Sequence, residues 1–439
     1  MVNGQWLMVI EMKAIKVIKI LSVYVAILCL FGCEKDDIIV KRQTDDKGVV
    51  IATPYLWKTS LHNGLPYSNS NIKYPVIYKN SILVPTTSDG SRRNLSAIDV
   101  KSGKVLWCWD DSFCNGTRYF NITDYAIYDN LLIIQPGSSY CINLNNGTTF
   151  WKFIRDRSLA SEVTIMGDKF FNFGPIFSYE GTEMAAYIGD IEYGENLTPK
   201  IRVDLPDDID YPDGNWGPKF KGGVIYLYNL PDNDKLLLVS HFTVLADWTY
   251  FSYFSLYHTE TEEWVWENQS INAKPYETFD AKPQIYNGKI YANVGFAIVC
   301  HDLVTGEQLW RRDFNNDFLF SGFLIEGGRL IANNEDCFAV CLDAETGHEL
   351  WRVRTAGTSS RMSYLNGIVY FVGGSQPYLF AIEASTGKIV WKINTALIGE
   401  PRGTQFKYNA VYPIPAKDGQ PAKVIALSDL YAYCFKAYR

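Results

Sequence analysis

The sequence predicts an all-β chain closed into a ring of four-stranded sheets, and three observations carry that prediction. A unit ending in Trp recurs at intervals of 40–44 residues, Asn-Gly pairs separate alternating apolar runs, and aromatic side chains make up 15% of the 439 residues. Flat aromatic rings pack well on a pleated surface, and Asn-Gly supplies the left-handed corner of a two-residue hairpin. Hydrophobic residues at 47% and charged residues at 20% give a globular chain with ample core.

The repeat is clearest at Pro377–Ile393, PYLFAIEASTGKIVWKI. A small residue is followed two on by an acidic or amide residue, then by a turn containing Gly, and a Trp stands eight after the acid. The pairs are Asp99 and Trp107, Asn143 and Trp151, Asp302 and Trp310, Asp343 and Trp351, and Glu383 and Trp391. A weaker copy keeps His258 and Trp266 but lacks the Gly. Apolar alternation before the acid makes one strand, and the residues around the Trp make the next. The Gly (103, 147, 306, 347, 387) supplies the φ > 0 position of the turn, and the Asp or Asn side chain can accept hydrogen bonds from turn N–H groups. The Trp offers the largest apolar area of any side chain, contributing ~2–3 kcal/mol when buried between sheets.

Upstream of several units lie two further strands, as in 283–294 and 364–372, with Asn-Gly at 287–288 and 366–367. Four strands per repeat is the period of a propeller blade. Trp107 to Trp151 and Trp266 to Trp310 are each 44 residues, followed by intervals of 41 and 40. Trp151 to Trp266 is 115, which suits two enlarged blades, near 163–205 and 216–268. After Trp391 the chain supplies strands near 404–414, 423–428 and 430–436 but no Trp strand. Tyr55-Leu56-Trp57-Lys58 has the look of that missing outer strand, and pairing it with the C-terminal three would close the ring and hide two sheet edges. The expectation is an eight-bladed β-propeller, with seven blades as the alternative if the 115-residue interval is one blade with an insertion.

These A-x-D-x-x-T-G-x-x-x-W units resemble the repeat of the PQQ-like family, that is, quinoprotein alcohol dehydrogenases and BamB-type outer-membrane assembly lipoproteins. The resemblance covers about 50–439 and implies the propeller fold; the family holds enzymes and non-enzymes, so it does not fix an activity. Its quinone enzymes hold their cofactor with Ca²⁺, a catalytic Asp and commonly a disulfide between adjacent cysteines. This chain has no Cys-Cys pair and no C-x-x-C-H haem motif, so no cofactor and no metal are expected.

The first residues read as an export signal. Lys13, Lys16 and Lys19 precede an apolar run, Ile20 to Phe31, too short to span a bilayer comfortably. It ends in Leu-Phe-Gly-Cys33, which resembles a lipobox with Cys33 as the lipidated residue; Met1 and Met12 are both candidate starts. The expected organisation is a signal peptide at 1–32, a lipidated flexible tether at 33–50 and one propeller domain at 51–439. Glu34-Lys35-Asp36-Asp37 resembles the surface-export tag of Bacteroides-type lipoproteins, and it also fits a merely polar tether. The expected location is the outer membrane, at the cell surface or on its periplasmic side. The formal charge of −7 becomes −9 once 1–32 is removed, which excludes nucleic acid as a partner.

No reactive constellation stands out. Cys141, Cys300, Cys341 and Cys434 take the small position where Ala97 and Ala381 stand in other units, and read as buried hydrophobes. Cys108 and Cys114 flank a short loop and can pair in an oxidising compartment. His301 and His348 lie in or beside the turns and read as surface residues. The acidic loop with Asp207, Asp208 and Asp210 lacks the order of a Ca²⁺ loop because Pro212 takes a ligand slot. Trp216 and Trp248 are the aromatic candidates for exposed ligand contacts. The leading expectation is a lipid-anchored, non-enzymatic module binding a protein or glycan through its propeller loops. The alternative is a surface polysaccharide-degrading enzyme whose catalytic groups, His241 and the acidic loop among them, come from blades 3 and 4.

Overall fold

Short apolar runs joined by tight turns pair with their sequence neighbours, and the chain folds as a succession of antiparallel meanders. The computed structural model describes residues 40–61, 71–88, 92–109, 121–122, 124–134, 139–153, 163–178, 181–194, 198–203, 226–230, 233–244, 250–271, 281–318, 322–407 and 409–439. The chain divides between Lys41 and Arg42, and the description concerns the unit Arg42–Arg439.

Eight blades form the ring. Blades 1 to 7 lie at residues 77–109, 125–153, 163–203, 226–270, 284–313, 323–354 and 363–393. Blade 8 combines Tyr412–Ile414, Lys423–Leu427 and Tyr431–Lys436 with the N-terminal strand Tyr55–Ser60. Neighbouring blades touch through their first strands, which therefore line the axis, while the Trp strands form the rim. Among the described residues there is no α-helix, and Thr395–Ile398 makes one turn of 3₁₀ helix.

Tyr55–Ser60 pairs antiparallel with Tyr431–Lys436, Trp57 opposite Cys434, so strands from both ends of the chain close the ring in one sheet. Blade 7 carries two further strands: Val50–Ala52 lies parallel to its outer strand, and Gln43–Thr44 pairs beyond it. Ordered sheet thus begins inside the stretch 33–50 expected as tether. The added strands cover Val390, 3% exposed, whereas its counterparts Leu106, Phe150 and Leu350 are 56%, 51% and 51% exposed on the uncapped rims.

The repeat residues join one blade to the next. Trp351 of blade 6 lies over Gly387 in the last turn of blade 7, and its indole Nε1 donates to the Ala384 carbonyl at 3.0 Å. Trp57, Trp107, Trp151, Trp266 and Trp310 make the same contact with the following blade, donating to Val100, Leu144, Ile191, Leu303 and Ala344 at 2.7–3.2 Å. A Cβ at Gly387 would stand 2.8 Å from the Trp351 ring, so this Gly is required by its neighbour as well as by its φ of 74°. Trp391 has no such turn ahead of it and packs edge-on against Tyr370, Phe435 and Tyr438.

In six of the blades the Trp faces a small residue across the strand pair: Ala97, Cys141, Cys300, Cys341, Ala381 or Cys434. All four cysteines are fully buried, and burial pushes their thiols up to about 12, so they stay protonated and inert. The acids anchor their turns, as where Asp302 Oδ1 accepts the N–H groups of Val304 and Thr305 at 2.9 and 2.8 Å.

Candidate functional site at the axial mouth

Two faces of the ring follow from the turns. In the regular blades the N–H after the acid donates to the first turn: Val100 to Asn80, Leu144 to Asn130, Leu303 to Gly288, Ala344 to Gly328 and Ala384 to Gly367, all within 2.8–3.0 Å. First and last turns therefore share one face, the turn face. The described middle turns and inter-blade connections lie on the other, the loop face, where the described residues just before the first strands ring the axis.

That mouth is crossed by side chains from non-neighbouring blades. Asp124, before blade 2, receives Lys282 Nζ from before blade 5 at 3.1 Å. Blades 2 and 5 are three apart, so the pair spans the axis. Arg361, before blade 7, places its guanidinium 5.7 Å from the ring centre of Tyr74, before blade 1. Gly322, at φ +60°, leaves the space Arg361 occupies. Backbone bonds lace the same region: Ala410 N to Ile72 O at 2.8 Å and Lys73 N to Ile122 O at 3.0 Å, with Asn71–Ile72 and Asn121–Ile122 paired in parallel.

Burial pushes the Asp124 carboxyl up from the ordinary carboxylate range, opposed by the Lys282 charge and by N–H groups of Tyr125 and Val163. Its side chain is 7% exposed and already engaged, so it is poorly placed to take a proton from a substrate. The donor set does not fit a quinone with its cation: the Asp124 carboxylate is held by an ammonium, and among the described residues no three His, Cys, Asp or Glu side chains converge. The mouth is built as a roof.

Cys33, Asp207, Asp208, Asp210, Trp216 and Trp248 lie outside the described residues, as does Cys114. The described strands flanking 204–225 and 245–249 end on the loop face. His241 is fully buried in blade 4, stacked on Tyr253 at 5.4 Å, with neither ring nitrogen hydrogen-bonded. Burial pushes its imidazole down to about 4; Asn268 lies close enough to oppose this, but not in hydrogen-bonding geometry. A substrate cannot reach it. His301, expected at the surface, is 1% exposed instead, because its Nδ1 bonds the Gly306 carbonyl at 2.9 Å and folds the ring into the blade. His348 is exposed, as expected. Sequence reasoning passed over Asp124, Lys282 and Arg361, whose partners lie far away in the chain and leave no local motif.

A family profile described as outer membrane protein assembly factor BamB matches residues 255–360 and 338–401, from the last two strands of blade 4 through blade 7. Over that segment the chain is similar to PQQ-like β-propellers. BamB from Shewanella oneidensis is 29% identical over 122 residues, 25% of this chain and 31% of that protein. Quinohemoprotein alcohol dehydrogenase ADH IIB of Pseudomonas putida is 25% identical over 144 residues, 28% of this chain and 21% of the enzyme. The matches thus span a third or less of these relatives' lengths. The crystal structure of BamB from Moraxella catarrhalis superposes with a TM-score of 0.54 at 14% identity, covering 88% of this chain and 98% of that one. That likeness concerns the fold.

Proposed function

We propose that this propeller is a lipid-anchored outer-membrane scaffold, tethered through Cys33, that holds a protein partner of the outer-membrane assembly apparatus on its loop face. The observation that carries the proposal is the roofed mouth: Asp124, Lys282, Arg361 and Tyr74 are spent on one another across the axis, which suits a rigid platform better than a reaction pocket. The BamB match over blades 5–7 and the lipobox-like Leu-Phe-Gly-Cys33 support the same reading. In the native host, Cys33→Ser should leave the protein out of the membrane fraction. Deleting the gene should lower the abundance of outer-membrane β-barrel proteins, and unchanged levels would overturn the assembly role.

A surface-displayed version, with a glycan on the loops, draws on Glu34-Lys35-Asp36-Asp37. Protease shaving of intact cells separates the two: cleavage places the ring outside, and protection rules the surface version out.

A further inference from the structure

The seam where the ring closes holds a cavity that the repeat alone would not produce. In the regular blades the first two strands are joined by two residues, such as 287–288 or 366–367. In blade 8 they are joined by eight, 415–422, and this longer hairpin stands beside the first and last turns of blade 1. The Asp418-Gly419 corner, with both residues at positive φ, and the Lys417–Gln420 bridge keep it in shape. A cavity of about 450 Å³ opens between hairpin and blade, walled on its apolar side by Ile77, Ile414, Pro415 and Pro421.

Its charged lining is lopsided for a chain of net charge −7. Lys79, Lys101, Lys417 and Lys423 face two carboxylates, Asp99 and Asp418. Asp99 Oδ1 is engaged by its own turn, accepting from the N–H and hydroxyl of Ser102 at 2.6 and 2.5 Å. Lys79 reaches only a neutral acceptor, Asn145 Oδ1, at 3.2 Å. Lys423 is the telling group. It is 4% exposed, yet its ammonium, a triple donor, meets only the Val100 carbonyl at 3.3 Å, an oxygen already bonded by Trp57 Nε1 at 3.0 Å. A buried ammonium with one long, shared acceptor and no paired carboxylate among the described residues calls for an anion. All four cations are Lys, which act as point charges suited to a compact, highly charged phosphate. Planar carboxylates are the preferred partners of the Arg fork, and no Arg lines the cavity.

We infer that the cavity between blades 8 and 1 binds a phosphorylated small molecule, its phosphate on Lys423, Lys101 and Lys417 and its carbon skeleton against Ile77, Ile414 and Pro421. The inference is independent of the outer-membrane reading. Isothermal titration of the full chain with inorganic phosphate, glucose 1-phosphate, glucuronate and glucose tests it. Both phosphates should bind, glucose 1-phosphate more tightly, and binding should weaken with salt. Lys423→Met and the exposed pair Lys101→Gln/Lys417→Gln should each weaken binding about tenfold or more, as loss of a charge-assisted hydrogen bond does; the pair keeps the test valid if Lys423→Met misfolds. Vesicles containing phosphatidic acid identify the source: capture through the same lysines makes the natural ligand a lipid headgroup, and solution binding alone makes it soluble. No binding of either phosphate, binding untouched by the lysine variants, or preference for glucuronate would overturn the inference.

Discussion

Blades 5–7 and blades 3–4 share one strand plan but join their neighbours differently. In the first group, strands run to about six residues and each joint is a Trp laid on the Gly of the next turn. In the second, strands lengthen to ten and twelve residues, and the position eight after Asp190 is Thr198 rather than Trp. The following turn, in blade 4, has Glu262 where the others have Gly: exposed, at φ 58°, its N–H still closing on His258 O at 2.9 Å. Blade 3 itself, which receives Trp151, keeps Gly194. Gly is therefore retained where an indole must land and dispensable where none does, although the backbone is left-handed in both. The turn needs a positive φ; the joint needs the missing Cβ.

That contrast can be broken experimentally. Trp351→Ala should cost the largest amount, about 4 kcal/mol, by removing a docked ring and its bond to Ala384. Chemical denaturation would show it, and a loss below about 1 kcal/mol would deny the joint its role. Acidification should strike blade 4 next. His241 is held neutral, its folded pKa of about 4 lying below the ordinary 6.5, so the stability it contributes is complete above pH 6.5 and falls away toward pH 4. The change is about 3 kcal/mol. His241→Phe should flatten that slope, leaving the smaller contribution of His301, which is shifted the same way. Gly387→Ala should cost about 2 kcal/mol, from a left-handed φ and overlap with Trp351. In the Trp351→Ala background the overlap disappears and the two effects should fall short of additive. Smallest is Glu262→Gly, expected within about 0.5 kcal/mol of wild type because no ring waits to use the space. A large gain or loss there would erase the distinction between the two joints.

The spacing of Trp and acid was enough to place blades 1, 2 and 5–7, and the interval between Trp151 and Trp266 placed blades 3 and 4 near where their strands lie. Repeats are legible because each blade solves the same local problem with the same residues. The contact between blades was less legible, since the acid-to-Gly register in blade 3, Asp190 and Gly194, persists without the Trp that marks the repeat. The axial mouth was not legible at all. Asp124 meets Lys282 across 158 positions, and only the closing of the ring brings them together. The lysine cavity left a faint trace, the long P-A-K-D-G-Q-P-A-K hairpin of 415–423, whose extra length was visible and whose partner blade was not.

The pairing of Tyr55–Ser60 with Tyr431–Lys436 also sets a schedule. The Tyr55 strand, made before the seven intervening blades, waits for a strand made after all of them. Until then the Tyr431 strand has no outer neighbour, and the chain is an open arc with two bare edges. Contacts of such long range form slowly. Completion of the ring is thus a late event, and any chaperone that guards this chain during synthesis has to keep these two strands from strangers until they meet each other.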